Sequence, residues 1–239
     1  MLKVLLAPSI PESMLSAPRE HYRSAAQLAP AAGVSVMSVS RLVRQLRNEG
    51  FLDTRKQNLR LVRIEELLER WRGASQGQVR EIPARWIIRG GEGQFRSAVE
   101  SYASGLKSKD SKQSRKSPLR SSLPRVCVGL FAAAEALGVG FVRGVAPHLY
   151  LERLDYAVLK RLGLSVEDVG RTPDVQLRVP ENEESIFRPV VWSAGVPVSD
   201  VIQIWLDVAN HPARGKEQAA QIWSNVLAPA VRRAGHERL

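Results

Sequence analysis

Cysteine is nearly absent: Cys127 is the only one in 239 residues, so no disulfide can close within the chain, and a reducing cytoplasmic setting is expected. Long hydrophobic runs are absent too. The most apolar stretch, Val126 to Val142, is broken by Glu135 and three glycines and is too short to span a bilayer, so no membrane partner is expected. Met1 to Leu6 is apolar but lacks the charged lead and long apolar region of a secretory signal. Histidine is scarce, and His21, His148, His211 and His236 share no metal-ligand spacing, so neither a metal nor another cofactor is expected. Cys127 has no histidine near it in sequence and reads as a small core residue rather than a nucleophile. Gly90, Gly91 and Gly93 precede a helix, yet no Gly-Lys-Ser/Thr follows them; this excludes a P-loop and leaves a turn.

Acidic residues are in short supply in one half only. Residues 1–125 hold 23 Lys and Arg against 11 Asp and Glu, a net of +12, whereas residues 126–239 hold 12 against 13, a net of −1. Such asymmetry points to a nucleic-acid-facing end and a second end with another task. A positive field alone also attracts membranes and acidic proteins, so the weight falls on a motif in the basic half.

That motif is GVSVMSVSRLVRQLRNEGFL, Gly33 to Leu52. Ser35 is a helix N-cap, Gly50 sits at a left-handed end, and Val39, Leu42, Val43 and Leu46 recur at helical spacing. The spacing predicts a helix from about Val36 to Glu49. At about 100° per residue, Met37, Arg41, Arg44 and Asn48 lie opposite the apolar stripe, with Ser40 and Gln45 at its edges and Ser35 and Ser38 in the first turn. Tyr22 to Ala32 supplies a shorter helix before it, in which Pro30 truncates or kinks the last turn, and Gly33 gives the tight turn. Phe51 to Thr54 and Leu59 to Val62 then read as two short strands around RKQN, a hairpin carrying Arg55, Lys56 and Arg60 toward flanking phosphates. Together these make a winged helix-turn-helix with its second helix in the DNA major groove. The plainer alternative is an amphipathic core helix and a hairpin with solvated edge charges; some winged helices bind only protein.

The chain is long enough for two domains. A helix over about Ile64 to Arg72 completes the first, over 1–73. Residues 74–125 read as a connecting segment, with an extended piece around Trp86 to Ile88, a helix from Gln94 to Gly105 and a basic linker from Lys107 to Arg125. The linker serves either as a strap on phosphates or as a solvated connection. Residues 126–239 read as a mixed α/β domain for assembly or partner recognition. Its expected helices cover about Leu130 to Leu137, Asp155 to Arg161, Ser199 to Asn210 and Lys216 to Val231; its strands cover about His148 to Leu151 and Val175 to Val179, with extended pieces around Arg188 to Trp192. In the last two helices, Trp205 and Trp223 fall on apolar faces and read as core. The overall class is α+β.

Three segments, the helix-turn-helix stretch, GLFAAAEALG at Gly129 to Gly138, and VIQIWLDVANHPARGKEQAAQIW at Val201 to Trp223, resemble the AbiE-type antitoxin family, transcriptional regulators of type IV toxin–antitoxin systems. The last is the most specific, with Asp207, Asn210, Arg214 and Gly215 in fixed order around His211-Pro212. The resemblance runs with gaps from about Leu2 to Arg232. The basic linker is longer and more charged than the family pattern, and family members often carry a further region upstream. The resemblance implies a bacterial, cytoplasmic regulator that binds double-stranded DNA near its own operon and counteracts a cognate toxin; a homodimer is a further expected assembly.

GLFAAAEALG followed by a strand is also similar to the opening of a nucleotidyltransferase fold, which needs two carboxylates at alternate positions on that strand to hold Mg²⁺. Here HLYLERLDY offers Glu152 and Asp155, three apart and on opposite faces. A degenerate, non-catalytic version of that fold is therefore expected, with no catalytic residues. Glu183 and Glu184 read as a polar loop. The alternatives are a nucleic-acid-modifying enzyme fed by the basic half and a winged-helix module that docks on protein.

Overall fold

The computed structural model describes residues 1–53, 58–75, 80–113, 124–167 and 172–236. The chain is mixed α and β and divides into two compact units, Met1–Gly77 with Ala219–Leu239, and Gln78–Gln218.

In the first unit, α1 (Leu2–Leu6) runs into a 3-10 turn, Ala7–Ser9. Arg19 clamps the segment that follows, its guanidinium donating to the carbonyls of Ala7, Ile10 (2.6 Å) and Leu15 (3.0 Å). Helix α2 (Ala25–Ala32) starts later than the expected Tyr22, because Ser24 is extended at φ −143° and its hydroxyl accepts from Gln27 N. Tyr22 instead packs its ring inside, and its carbonyl takes the Leu59 N–H at 2.6 Å. Pro30 sits within α2 without ending it; the left-handed Gly33 (φ 68°) does that. Helix α3 spans Val36–Asn48 and packs against α2. Helix α4 (Ile64–Ala74) follows, two residues longer than expected.

The C-terminal segment belongs with this unit, which differs from the expected 126–239 domain. A π-helical turn at Trp223–Leu227 leads into α11 (Ala228–His236), which packs on α4 and on the Ala7–Ser9 turn. The amphipathic helix expected over Lys216 to Val231 buries Val226, Leu227 and Ala230 here, while Trp223 is only half-buried.

The second unit is built on one seven-stranded mixed sheet among the described residues, in the order β4-β1-β5-β3-β2-β7-β6. The strands are β1 (Glu81–Trp86), β2 (Val126–Gly129), β3 (His148–Leu151), β4 (Leu164–Ser165), β5 (Val175–Arg178), β6 (Val191–Ser193) and β7 (Val196–Val198). Two corrections to the connecting segment follow. The extended piece around Trp86 lies earlier, as β1, and is an interior strand, antiparallel to both β4 and β5. Helix α5 (Gln94–Gln113) runs through the first part of the expected linker and packs on β2, β7 and α7 (Tyr156–Leu162); residues 114–123 of that linker lie outside the described residues. Helix α6 (Leu130–Ala136) links β2 to β3, and α8 (Glu183–Phe187) occupies the stretch expected to be a polar loop. There Ile186, Phe187 and Val190 close over Cys127 and Tyr150.

Helix α9 (Val201–Val208) is apolar nearly all round and correspondingly buried, with Trp205 fully enclosed. Its N-cap Asp200 accepts from Ile202 N and Gln203 N, both at 3.1 Å. Helix α10 (Gly215–Ile222) returns through a tight turn in which Gly215 N donates to His211 O. A Cβ on Gly215 would lie 2.0 Å from Val208 O, so no other residue fits without opening the turn. Gln218, wholly buried, holds the Val139–Val142 loop: its amide donates to Val139 O at 2.7 Å and accepts from Phe141 N at 3.0 Å.

The turn gives a paired stability prediction. Gly215→Ala should cost about 3–5 kcal/mol in urea unfolding, the range reserved for backbone conflicts with no room to relax. Gly73→Ala, in α4 with nothing within 4 Å of the new Cβ, should instead stabilise by about 0.5–1 kcal/mol. Equal responses would mean that the close approach to Val208 O does not govern the turn.

Candidate nucleic-acid interface

Helix α3 forms where the sequence placed it. Ser35 is extended, and its hydroxyl accepts from Ser38 N at 3.1 Å and lies 2.9 Å from Ser38 Oγ; both serines are thus used in capping. Val39, Val43 and Leu46 are buried and Leu42 half-buried, while Gly50 takes φ +73° and Phe51 tucks beneath the helix end, its N–H donating to Leu46 O at 2.7 Å. The opposite face carries Met37, Arg41, Arg44, Gln45 and Asn48, all exposed, with Ser40 half-exposed. Gln45 leans along the helix and donates to Glu49 at 3.1 Å.

Some arginines of this unit are paired with acids and others are not, Arg23 and Arg233 among the exposed unpaired ones. Arg63 pairs with Glu66, Arg72 with Glu69, and Arg70 with Glu49 at 2.9 Å. Arg41, Arg44 and also Arg47, which flanks the same face, are exposed and form no ion pair among the described residues. Arg47 sits about a quarter-turn from the centre of the outward face, so helical spacing alone does not place it there; its signal in the sequence is a third arginine on the same helix.

The hairpin is slighter than expected. Leu52 and Leu61 form a single antiparallel bridge, supported by Asp53 N to Arg60 O and Val62 N to Phe51 O, both 2.9 Å. Among the described residues the pairing goes no further, and Leu59 N turns to Tyr22 O instead. Thr54 to Gln57, with Arg55 and Lys56, lie outside the described residues. Arg60 is half-buried and engaged within the protein, so its charge is less available than its position in sequence suggested.

A second cluster of chemistry-bearing residues lies in the sheet unit. Glu81, Arg178 and Tyr150 face one another across β1, β5 and β3 through the register Glu81↔Arg178 and Tyr150↔Arg178. Arg178 Nε donates to Glu81 at 3.1 Å and its Nη1 to the Tyr150 hydroxyl at 3.1 Å; that hydroxyl donates to Asp207 of α9 at 2.8 Å, and Gln203 donates to Asp207 at 2.9 Å. Asp207 also lies 3.7 Å from Arg178. His148, buried two residues before Tyr150, has its Nε2 3.3 Å from Glu81 without hydrogen-bond alignment, and its ring meets His211 edge to face at 5.6 Å between centroids. His211 Nδ1 accepts from Ala213 N at 3.1 Å. Sequence spacing gave no hint of this histidine pair, 63 positions apart. Among the described residues no group of three or more His, Cys, Asp or Glu side chains is arranged to hold a metal ion.

Electrostatics here follow from burial and one guanidinium. Burial would raise Glu81, but the hydrogen bond and charge of Arg178 outweigh it and hold the carboxyl below its ordinary range. Burial, then the Asp207 charge, pushes the Tyr150 hydroxyl well up, so it stays protonated as a donor. Burial, helped by Arg178, pushes the His148 imidazole down to about 4 against the pull of Glu81. The remaining acids serve local structure. Glu152 pairs with Arg125 at 3.6 Å, Asp155 caps α7 through Val158 N at 2.8 Å, and Glu184 pairs with Arg188 at 3.7 Å. The glycine-rich turn is closed by Gln94, which accepts from Gly90 N at 2.6 Å and donates to Ile88 O at 2.8 Å.

His148 sets a pH dependence. The unfolded chain takes up its proton near pH 6.5, the folded one only near 4, so stability present above pH 6.5 is lost as pH falls toward 4. His148→Gln should flatten thermal stability between pH 6.5 and 4, removing a pH-linked contribution on the order of 3 kcal/mol. A variant whose decline with acid matches the parent's would show that the imidazole is not held neutral.

No helix among the described residues is long and apolar enough to cross a membrane. No family model, curated protein or solved structure matches the chain.

Proposed function

We propose that the chain is a transcriptional regulator that binds duplex DNA through a winged-helix unit, α3 lying in the major groove. The observation that carries this reading is the outward face of α3: three arginines free of ion pairs among the described residues, on a helix fixed by a buried stripe, while the other described arginines of α4 and its cap are neutralised by glutamates. Guanidinium groups on such a face suit guanine O6 and N7 and the flanking phosphates. Lys56 and Arg55 extend the basic surface in sequence.

The second unit, on this reading, recognises a partner, and the AbiE-type resemblance names the class: a cognate toxin. Asp207, His211 and Gly215, from the segment that carries the resemblance, are committed to internal structure through Tyr150 and Arg178, through Ala213 N, and through the close turn on Val208 O. Toxin contact then falls to other surfaces of the unit. Against a nucleotidyltransferase stands the occupation of Glu152 and Asp155 in an ion pair and a helix cap.

Band-shift titration of the full chain on its own upstream region tests the DNA reading. If about five phosphates are neutralised, log K should fall against log salt with a slope of about −4 to −5. Arg41→Ala or Arg44→Ala should cost about 1–3 kcal/mol on the specific site, whereas Lys56→Ala should weaken specific and random duplexes alike. Salt-independent binding, or no shift at low salt, removes DNA from the function.

A further inference from the structure

Seven large apolar side chains stand exposed among the described residues, and only two of them belong to the first unit: Val36, 49 % exposed, and Met37, 63 %. Both occupy the first turn of α3, the part of a recognition helix that meets base edges. Met37 lies at the centre of the outward face and shares it with Arg41 one turn on, then Arg44 and Asn48. Val36 lies about 110° round the helix from the centre of that face, so Met37 is its one apolar member; on a face otherwise made of arginine, serine, glutamine and asparagine it gains nothing in water, since it buries no surface. In a major groove it has one matching feature, the C5-methyl group of a pyrimidine, the sole apolar element that base pairs present there.

We infer that Met37 packs on a pyrimidine C5-methyl group, so that α3 reads a methyl-bearing pyrimidine beside the guanine contacted by Arg41. This rests on the DNA-binding reading above and adds the base chemistry that it leaves open. The arginines already fix the occupant of the face as an anion-rich surface. The thioether chain is unbranched and polarizable, suited to moulding onto a methyl group. Met37 and Arg41 are four residues apart, about 6 Å along the helix axis, just under two base-pair steps of roughly 3.4 Å. The methyl therefore lies one or two base pairs from the guanine. Thymine is the source to which the proposal commits, and 5-methylcytosine carries the same group.

The test begins by selecting bound duplexes from a random pool with the full chain, then replaces each thymine of the selected site in turn with deoxyuridine, which lacks only the methyl. One position next to the Arg41-dependent guanine should lose affinity about fourfold, the worth of one buried methyl. Met37→Ala should lose a similar factor on the thymine site and become indifferent to deoxyuridine, while Met37→Leu keeps the discrimination. Both variants alter an exposed side chain, so an unchanged thermal midpoint confirms their folding. Sensitivity confined to 5-methylcytosine over cytosine at that position assigns the methyl to the modified base and still supports methyl reading. A selected site whose affinity ignores both methyl groups, or a Met37→Ala variant that keeps full deoxyuridine sensitivity, overturns the inference and leaves DNA binding in place. Failure to select any site overturns both and turns Met37 toward a protein surface.

Discussion

The second unit depends on one guanidinium. Arg178 stands in the sheet with Glu81 on one neighbouring strand and Tyr150 on the other, and with Asp207 of α9 above. It adds a side-chain tie to the four-pair backbone ladder between β1 and β5, and through Tyr150 and Asp207 it links α9 to the sheet. Burying an arginine is unfavourable unless its donors are matched; here Nε and Nη2 go to Glu81 and Nη1 to the Tyr150 hydroxyl. Tyr150 must then stay protonated to satisfy Asp207, which its burial ensures. Removing one member would strand the others, a loss of about 3–5 kcal/mol where both charges are desolvated. The cluster has the residue types of a catalytic site, yet its polar groups mostly face one another, and that mutual satisfaction favours the observed register of β1, β5 and β3.

Chain order adds a second constraint. The first unit is made from both ends of the chain, with residues 78–218 between them. Its N-terminal part contributes α1 to α4, whose exposed surfaces include the arginine face, and its C-terminal part contributes α11 against α4 and the Ala7–Ser9 turn. The first unit thus loses part of its packing whenever residues 219–239 are removed. A dissection made at residue 125, where composition suggests a boundary, would cut away those residues along with most of the sheet.

Local signals in the sequence were legible and non-local ones were not. Ser35, Gly33 and the Val39, Val43, Leu46 stripe specify α3 from within a single stretch, so its start is met to the residue and its outward side chains are those expected. His148–Leu151 is met in the same way, as a run of apolar residues bounded by a proline and a charged turn. Where the outcome depends on a distant partner, the pattern misleads. The second strand of the hairpin competes with Tyr22 for the Leu59 N–H. The stretch read as a connection contributes β1, because Glu81 finds Arg178, 97 positions on. The basic stretch after Gly105 is helical through Gln113 although its composition reads as solvated coil. Glu183 and Glu184 open a helix, as acids in a first turn favour, where polarity alone suggested a loop.

Charge in the first unit is arranged so that the fold and the proposed recognition do not compete. Exposed pairs such as Arg63–Glu66 and Arg72–Glu69 contribute little stability, but each offsets a positive charge outside the outward face of α3, Arg63 lying at that helix's C-terminal end, where it donates to Glu49 O. Arg23 and Arg233 are likewise exposed without an ion pair among the described residues, but on α3 three such arginines share one capped helix over a buried stripe. A diffuse basic surface attracts any polyanion; on the proposed reading, exposed methionine and asparagine beside the arginines would let this face distinguish one duplex from another. The paired arginines thus matter less for holding the unit together than for leaving Arg41, Arg44 and Arg47 as the unpaired arginines that share one helix.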